Sequence, residues 1–412
     1  MTTRSIVNPG PPPDGGIKAW TQVAMGWIVI FTTWGYVNSF GAFQPYYTST
    51  LPGVNASTVS WIGSIQVWLT FFIGAFSGRM LDAGLFVPAF CVGAVLQLLG
   101  IFMMSLSTKY WQLVLTQGIM TGLGGGIFFC PALGLVATYF SKRRAMAIAI
   151  ASTGNAVGGM IYPVLAKELL GRIGFAWTTR VLGFVNLAGL LVCAVFMRPR
   201  LPPRRSGPII DWTAWKEPMY VLFVIGMMAT TWALYFCLYY LASFAINVTH
   251  LPYTTSTTLI IIVNGVGVPA RLIPPLFANR YGLLNTFIPL LLSTALLTYL
   301  QAAITSTTGL YIWTVVYGMS NAAFQCLVPT TAASLCNDLS RVGTRLGMLF
   351  SCMSFAALTG PPIGGAIIGS LGSGREGYIA AVCWAGSAAL LGVVLIYVGR
   401  VWVFGWSWKV KV

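Results

Sequence analysis

Residues 139–154 read YFSKRRAMAIAIASTG, in which Lys142, Arg143 and Arg144 stand together and the next ten residues carry no charge. Charged residues make up only 7% of the chain. An arginine at the centre of a membrane helix costs about 2.5–3.5 kcal/mol on insertion scales, so three adjacent cations hold their loop outside the bilayer. The stretch therefore predicts a membrane helix with a basic anchor at its start.

The composition extends this prediction to the whole chain. Of the 412 residues, 57% are hydrophobic, and the mean hydropathy is +0.80. A water-soluble domain needs a polar surface, which this composition cannot supply. Apolar windows of about 20 residues, the length that crosses a bilayer as a helix, recur along the sequence. Residues 1–18 are predicted to be a disordered tail and not a signal peptide.

Twelve of these windows are predicted to be transmembrane helices. Gly and Pro are frequent in them, which a membrane bundle tolerates because neighbouring helices pack closely at Gly and satisfy the backbone groups that Pro frees. The one long connection, residues 198–218, divides the windows into six and six. The predicted limits are 20–43, 58–80, 86–107, 110–138, 145–167, 176–197, 219–246, 256–278, 284–305, 309–333, 343–370 and 377–403.

Charge predicts the orientation of these helices. With a cytoplasmic N-terminus, 17 Lys and Arg residues fall on the cytoplasmic side, 5 on the outer side and one, Arg271, within a span. This bias follows the positive-inside rule and explains the net charge of +16 without a nucleic-acid partner. The cytoplasmic set is Arg4, Lys18, Arg79, Lys142, Arg143, Arg144, Arg198, Arg200, Arg204, Arg205, Lys216, Arg280, Arg341, Arg345, Arg400, Lys409 and Lys411, and the outer set is Lys109, Lys167, Arg172, Arg180 and Arg375.

Three pairs of residues, one from each half of the chain, are separated by a nearly constant number of residues. The pairs are Asp82 with Asn279, Arg143 with Arg341 and Pro163 with Pro361, which stand 197, 198 and 198 residues apart. A parallel duplication of six helices resembles the major facilitator fold, an all-α membrane architecture in which a central cavity lies between two bundles. The predicted domains are a cytoplasmic tail (1–19), a six-helix bundle (20–197), a cytoplasmic loop (198–218), a second six-helix bundle (219–403) and a cytoplasmic tail (404–412).

The opening stretch also resembles a family signature. Residues 139–154 are similar to YFxKRRxLAxGxAxxG, found at the start of the fifth helix in the monocarboxylate porter family, with Met146 for Leu and Ala149 for Gly. Members of that family also carry an acid-Gly-Gly motif just before the first helix. Residues 13–20, PDGGIKAW, resemble this motif. The stretches NSFGAFQPYY (38–47), SWIGSIQ (60–66) and GRMLDAG (78–84) look like the fungal branch. The resemblance covers the whole chain.

The chain departs from this family at the residues that handle the proton. In lactate carriers of the family, a Lys in helix one and an Asp-x-x-x-Arg pair in helix eight serve the proton and the carboxylate. Arg271 matches that Arg, but Gly267 stands in the Asp position, and the Lys position falls near Asn38 or Ser39. The resemblance thus implies a carboxylate contact for Arg271, whose guanidinium can bind an anion through two hydrogen bonds. The missing acid favours facilitated diffusion, or coupling through the ionisation of the substrate.

Neutral polar residues in the helices that line the cavity of this fold are further candidates for substrate contact. An alternative role for each is a hydrogen bond between helices. Aromatic residues such as Trp34, Tyr36 and Tyr235 are candidates to wall a cavity for a flat or apolar solute. The predicted substrate-binding set is Arg271, Asn38, Asn155, Tyr162, Asn264 and Gln325.

A second set of charged residues is predicted to anchor the topology and to form a cytoplasmic gate. Cations at the ends of helices can meet lipid headgroups or the carbonyl ends of helices, and they can also exchange ion pairs as a gate opens and closes. Asp82 is the acid closest to this role in the first half. The predicted set is Asp82, Arg79, Lys142, Arg143, Arg144, Arg280 and Arg341.

These patterns lead to one principal function and two alternatives. We expect a plasma-membrane transporter of a small organic anion, similar to a monocarboxylate, that works by alternating access. An efflux transporter of an apolar secondary metabolite is the alternative within transport, and a nutrient sensor that does not transport is a third class.

The sequence shows no acid–base cluster, metal-ligand spacing or nucleotide-binding motif, so we predict neither an enzyme nor a cofactor. The expected partners are a small-molecule substrate and the lipid bilayer, and the expected state is a monomer.

Overall fold

The computed structural model describes residues 11–51, 53–141, 143–202, 210–336, 341–372 and 374–406. This part of the chain is helical and contains no strand. Short π-helical turns cover Phe31–Gly35 and Val114–Met120, and 3₁₀ turns cover Ala214–Lys216 and Gln301–Ala303. The α-helices are α1 (Gly16–Ile30), α2 (Tyr36–Asn38), α3 (Phe40–Thr50), α4 (Ala56–Asp82), α5 (Phe86–Met104), α6 (Tyr110–Leu113), α7 (Thr121–Thr138), α8 (Arg144–Phe196), α9 (Pro218–Val248), α10 (Tyr253–Leu272), α11 (Pro274–Tyr281), α12 (Leu283–Leu300), α13 (Thr307–Ser334), α14 (Val342–Ser370) and α15 (Arg375–Phe404).

The prediction of an all-helical membrane protein is confirmed. Among the described residues, nine helical segments are long and apolar enough to cross a membrane. One of them, Met146–Phe196, has 51 residues and contains two of the predicted windows. Within this segment, only Gly174 has non-helical backbone angles, with φ of 73° and ψ of 174°. Most of the predicted gap at 168–175 is therefore helical, and the count of twelve spans stays a prediction.

The first predicted span is longer and less regular than the sequence indicates. Its helical residues run from α1 through the π-helical turn and α2 into α3, instead of covering 20–43. The π-helical turn lies where Gly35 meets Gly158 of α8. A Cβ atom on Gly35 would stand 2.5 Å from the Gly158 Cα atom, so the two backbones are in direct contact. Glycines at both positions permit this approach.

This contact predicts a strong effect of a methyl group at Gly158. A Cβ atom there would stand 2.6 Å from the Gly35 Cα atom and 2.7 Å from the Phe31 carbonyl oxygen. Because backbone atoms cannot move aside cheaply, we expect Gly158→Ala to lower the free energy of unfolding by about 1–3 kcal/mol. Denaturant titration of the purified protein measures this. Gly171→Ala is the matched control in the same helix, because no atom lies within 4 Å of its added Cβ; equal losses in both variants would contradict the prediction.

The helices form two groups around the connection at 198–218. Helices α1 to α8, here called the first bundle, pack mainly on one another, and so do helices α9 to α15, the second bundle. The most extensive contacts between the groups are those of α4 with α14, α8 with α10 and α3 with α9. The predicted domain limits stay predictions, but this arrangement leaves space for a site between the two groups.

Two arginines that the sequence assigned to cytoplasmic loops or tails are buried instead. Arg345 is 4% exposed and Arg400 is 0% exposed, because α14 and α15 extend over them. Arg400 donates from Nε to Asn285 Oδ1 at 2.8 Å and from Nη1 to the Gly405 carbonyl at 2.8 Å. Both residues lie inside predicted spans, and their assignment to the cytoplasmic side stays a prediction. Specific partners within the protein make burial of their charge tolerable.

Candidate functional site

A cavity of 1260 Å³, here called the central cavity, lies between the first and second bundles. Its wall includes residues of α1, α4, α7 and α8 on one side and of α9, α10, α13 and α14 on the other. It reaches the end of the molecule where the described parts of the connection, 198–202 and 210–218, lie, and Arg79, Arg200 and Trp212 line this mouth. Trp212 is 70% exposed there, so the cavity is accessible from the connection side.

At the opposite end, called the far side, the two bundles pack against each other. The rings of Phe40 and Tyr239 lie 4.8 Å apart, at an angle of 51°. The Tyr240 hydroxyl donates to the Ala56 carbonyl at 3.3 Å, and the Ser57 hydroxyl donates to the Pro362 carbonyl at 2.9 Å. These contacts close the far side while the connection side is open, which is one of the two conformations that alternating access requires.

Arg271 lies in the wall of the central cavity and is 5% exposed. Its Nη1 donates to the Gly267 carbonyl, one helical turn earlier, at 3.2 Å. A Cβ atom on Gly267 would stand 2.7 Å from this Nη1, so the glycine provides the space that the guanidinium occupies. Among the described residues that line the cavity there is no Asp, Glu, Lys or His. Arg271 thus offers hydrogen-bond donors to the cavity without a carboxylate to neutralise it.

Four of the five predicted neutral residues also line the cavity: Asn38, Asn155, Asn264 and Gln325. Asn38 donates from Nδ2 to Asn155 Oδ1 at 2.6 Å, and Asn264 donates to the Ile260 carbonyl at 2.9 Å. Asn264 packs directly over Gly159 of α8, where an added Cβ atom would lie 2.4 Å from its Oδ1. The structure therefore gathers amides from both bundles around the inner part of the cavity.

Tyr162 does not belong to this group. Its side chain is 0% exposed inside the first bundle and does not line the central cavity. Its hydroxyl accepts a hydrogen bond from Asn186 Nδ2 at 2.9 Å, and its ring lies 5.2 Å from that of Phe31. The predicted substrate contact of Tyr162 is not found in this conformation, because the side chain points into the helix packing behind the wall.

The first bundle contributes an aromatic wall to the cavity. Trp34 lies in the π-helical turn, with its ring 4.5 Å from Phe71 and 5.4 Å from Phe129. Phe71 in turn stacks on Phe350 of the second bundle at 5.5 Å and 12°. A π-helical turn is a costly local distortion that is often found at functional sites. The turn therefore marks Trp34 as a candidate for substrate contact.

The connection is tied to the start of α14 by a set of ion pairs, here called the connection clamp (Asp211, Glu217, Arg341 and Arg345). Arg345 bonds both carboxylate oxygens of Glu217, each at 2.6 Å, and Asp211 Oδ2 at 3.0 Å. Arg341 Nη1 lies 3.2 Å from Asp211 Oδ1. Burial would raise the pKa of Asp211, but hydrogen bonds from Thr213 and Arg345 outweigh it and lower that pKa.

Three other residues of the predicted gate have exposed side chains. Arg143 and Arg144 are exposed, and Arg144 Nε donates to the carbonyls of Ala137 and Phe140 at 3.2 and 3.3 Å. Arg280 is exposed, with its guanidinium 5.5 Å from the ring centre of its neighbour Tyr281. Lys142 and the side chain of Asp82 lie outside the described residues. The structure gives Arg341 the partner Asp211, whereas a role of Asp82 in the gate stays a prediction.

Sequence reasoning missed Asp211, Glu217 and Arg345 as a structural unit. A signal was present, because two of only seven acids lie in the connection of a strongly basic chain. Arg341 and Arg345 are also one helical turn apart, which places both on one face of a helix. The sequence did not indicate that this face meets the connection.

A helical membrane bundle with a cavity between two groups of helices, open at one end and closed at the other, defines the class of secondary transporters. The family model of the Major Facilitator Superfamily matches residues 24–340. The chain belongs to the Major Facilitator Superfamily. Members of this superfamily are transporters, which agrees with the prediction that the chain is not an enzyme.

Fungal transporters are among the relatives of the chain. An MFS-type transporter of Gibberella zeae is 44% identical over 392 residues, which cover 95% of this chain and 88% of the relative. The Aspyridones efflux protein apdF of Emericella nidulans is 32% identical, with coverage of 95% and 81%. The Fujikurins efflux protein of Gibberella fujikuroi is 30% identical, with coverage of 94% and 84%.

Proposed function

We propose that this transporter exports an amphipathic organic metabolite with a flat apolar body and an acidic group. The observation that carries the proposal is the wall of the central cavity. Trp34, Phe71 and Phe129 supply an aromatic surface from the first bundle, and Arg271 supplies a guanidinium from the second. An ionisable group within a membrane protein is a functional hypothesis by default, because burying it without a partner is costly.

The volume of the cavity supports a substrate larger than a short-chain acid. Pockets for drug-sized ligands typically enclose about 300–1,000 Å³, and this cavity measures 1260 Å³. A short-chain carboxylate at Arg271 would leave the aromatic wall in contact with water. A larger apolar body would cover that wall and release the water from it.

The names of two relatives favour export, which the sequence offered as the alternative function. These relatives are named as efflux proteins for aspyridones and for fujikurins. Transport of a small monocarboxylate remains the second candidate, supported by the position of Arg271 and by the resemblance of residues 139–154 to the monocarboxylate porter signature. We further propose that the protein acts as a monomer in the plasma membrane, with both termini and the connection side in the cytoplasm, as the positive-inside bias predicts.

Transport by inverted plasma-membrane vesicles tests the proposal. Their medium faces the proposed cytoplasmic side, so export appears as uptake of a labelled compound. We use 2-naphthoate as a flat amphipathic acid and lactate as a short acid. Vesicles with the transporter should take up 2-naphthoate faster than vesicles without it, and lactate should show no comparable difference. Uptake of lactate without uptake of 2-naphthoate would overturn the proposal in favour of the small-carboxylate carrier.

The aromatic wall predicts the effect of replacing Trp34. Loss of one well-placed aromatic contact removes about 0.5–1.5 kcal/mol of interaction, together with the apolar area that it covers. We expect Trp34→Leu to raise the KM for 2-naphthoate about tenfold in the same vesicles. Trp61→Leu is the matched control, because Trp61 lies on α4, is 37% exposed and does not line the cavity. An unchanged KM in Trp34→Leu would show that the Trp34 indole does not contact the substrate.

A further inference from the structure

We propose that Arg79 forms an oxyanion-binding entry site at the mouth of the central cavity, separate from Arg271. The inference rests on the proposed function, because it assigns to the mouth the first contact with the acidic group of an amphipathic substrate. Arg79 lies in the last turn of α4, and its side chain lines the cavity on the connection side. The sequence predicted this residue only as part of a gate.

The charge of the cavity wall is the first observation. The wall contains four arginines, Arg79, Arg200, Arg271 and Arg341, and no acidic side chain among the described residues. A cleft with one sign of charge and walls of low dielectric concentrates the field and raises the local concentration of the opposite ion. The mouth therefore attracts oxyanions and repels cations before either reaches the inner amides.

The hydrogen bonds of the mouth arginines single out Arg79. Arg200 donates to the carbonyls of Thr138 and Pro11 at 3.0 and 2.8 Å, and Arg341 is paired with Asp211 in the connection clamp. By contrast, Nη1 of Arg79 is buried and has no hydrogen-bond partner among the described residues. A buried donor without an acceptor is costly, more so when it is charged. An oxyanion of a bound molecule would satisfy it.

The mouth also offers a surface for an apolar body next to this donor. Ile210, Trp212 and Trp215 of the connection line the cavity, and their side chains are 41%, 70% and 38% exposed. An amphipathic oxyanion can therefore place its charged group at Arg79 and its apolar part against the connection. The oxyanion has two possible sources, a substrate from solution or the headgroup of an anionic lipid. We assign the site to the substrate, because Arg79 faces the cavity that leads to Arg271.

Transport kinetics in proteoliposomes test the entry site, with Arg79→Gln as the variant and 2-naphthoate as the probe. We expect kcat/KM to fall about fivefold at low ionic strength through a higher KM, with kcat unchanged and with a weaker dependence on salt than in the wild type. The uncharged 2-naphthamide should show no change, whereas a purely structural or gating role would alter kcat for both probes. Arg198→Gln is the matched control, because Arg198 is exposed and does not line the cavity.

The lipid composition separates the two sources of the oxyanion. In phosphatidylcholine alone the defect of Arg79→Gln should persist. A defect that appears only with added phosphatidylglycerol would assign Arg79 to a lipid headgroup and overturn the inference.

An unchanged kcat/KM in Arg79→Gln would also overturn the inference and leave the proposed function intact. If the wild type transports neither probe, the proposed function fails, and equilibrium binding of 2-naphthoate to the purified variants then decides the entry site. Equal affinity of the wild type and Arg79→Gln, or no binding to either, would exclude it.

Discussion

Arg345→Met should destabilise the protein more than any other single substitution at the connection side. Arg345 is buried and bonds Asp211 and Glu217, and Asp211 is itself only 2% exposed. Removal of one partner from a buried ion pair typically costs about 3–5 kcal/mol. Arg341 still contacts Asp211 in this variant and compensates part of its charge, so we expect a loss toward the lower end of this range. Glu217 is 40% exposed and can regain water, so most of the loss comes from Asp211. Denaturant titration of the purified protein measures the change.

Arg341→Met is the matched control for this prediction. Arg341 contacts the same acid, Asp211, but its side chain is 40% exposed. Exposed ion pairs contribute about 0–1 kcal/mol, so this variant should lose little stability. Asp211→Asn combined with Arg345→Met should recover part of the loss, because the double variant buries no carboxylate charge at position 211. Equal destabilisation by Arg341→Met and Arg345→Met would show that burial of the clamp does not determine its strength.

Arg271→Gln should have the largest effect on transport of an acidic substrate. Hydrogen bonds to charged groups contribute about 1.5–3 kcal/mol, which corresponds to a loss of affinity of about 10- to 150-fold. Glutamine keeps a donor near the Gly267 carbonyl but lacks the charge and the two parallel donors of guanidinium. The KM for 2-naphthoate in inverted vesicles measures the effect. Arg271→Lys should restore only part of the affinity, because an ammonium group cannot bind a carboxylate through two parallel bonds.

The control for Arg271 is Arg180→Gln. Arg180 also lies in a membrane helix, but it bonds Ser105 inside the first bundle and does not line the central cavity. Transport of 2-naphthoate should be the same as in the wild type. If Arg271→Gln kept the wild-type KM for 2-naphthoate while transport continued, Arg271 would have no contact with the acidic group, and a neutral substrate would be the better proposal.

Several features could be predicted without coordinates because they depend on local composition. Apolar windows, each as long as a bilayer is thick, require helices, since a backbone in lipid must satisfy its own hydrogen bonds. Landmarks at an offset of about 198 residues indicated two related groups of helices, and the chain belongs to a superfamily with that fold. Four neutral candidates and Arg271 line one cavity, because the fold determines which helices surround it, and their contact with a substrate stays a prediction.

Other features depended on contacts between distant parts of the chain. Arg345 meets Asp211 and Glu217 across 134 and 128 residues, and Tyr162 points to Asn186 instead of the cavity. The sequence alone determined an all-helical membrane protein, because hydropathy is a property of each segment by itself. Only the tertiary structure decided which charges are paired, which are exposed and which face the cavity, because a side chain's energy depends on neighbours that the folded helices bring to it.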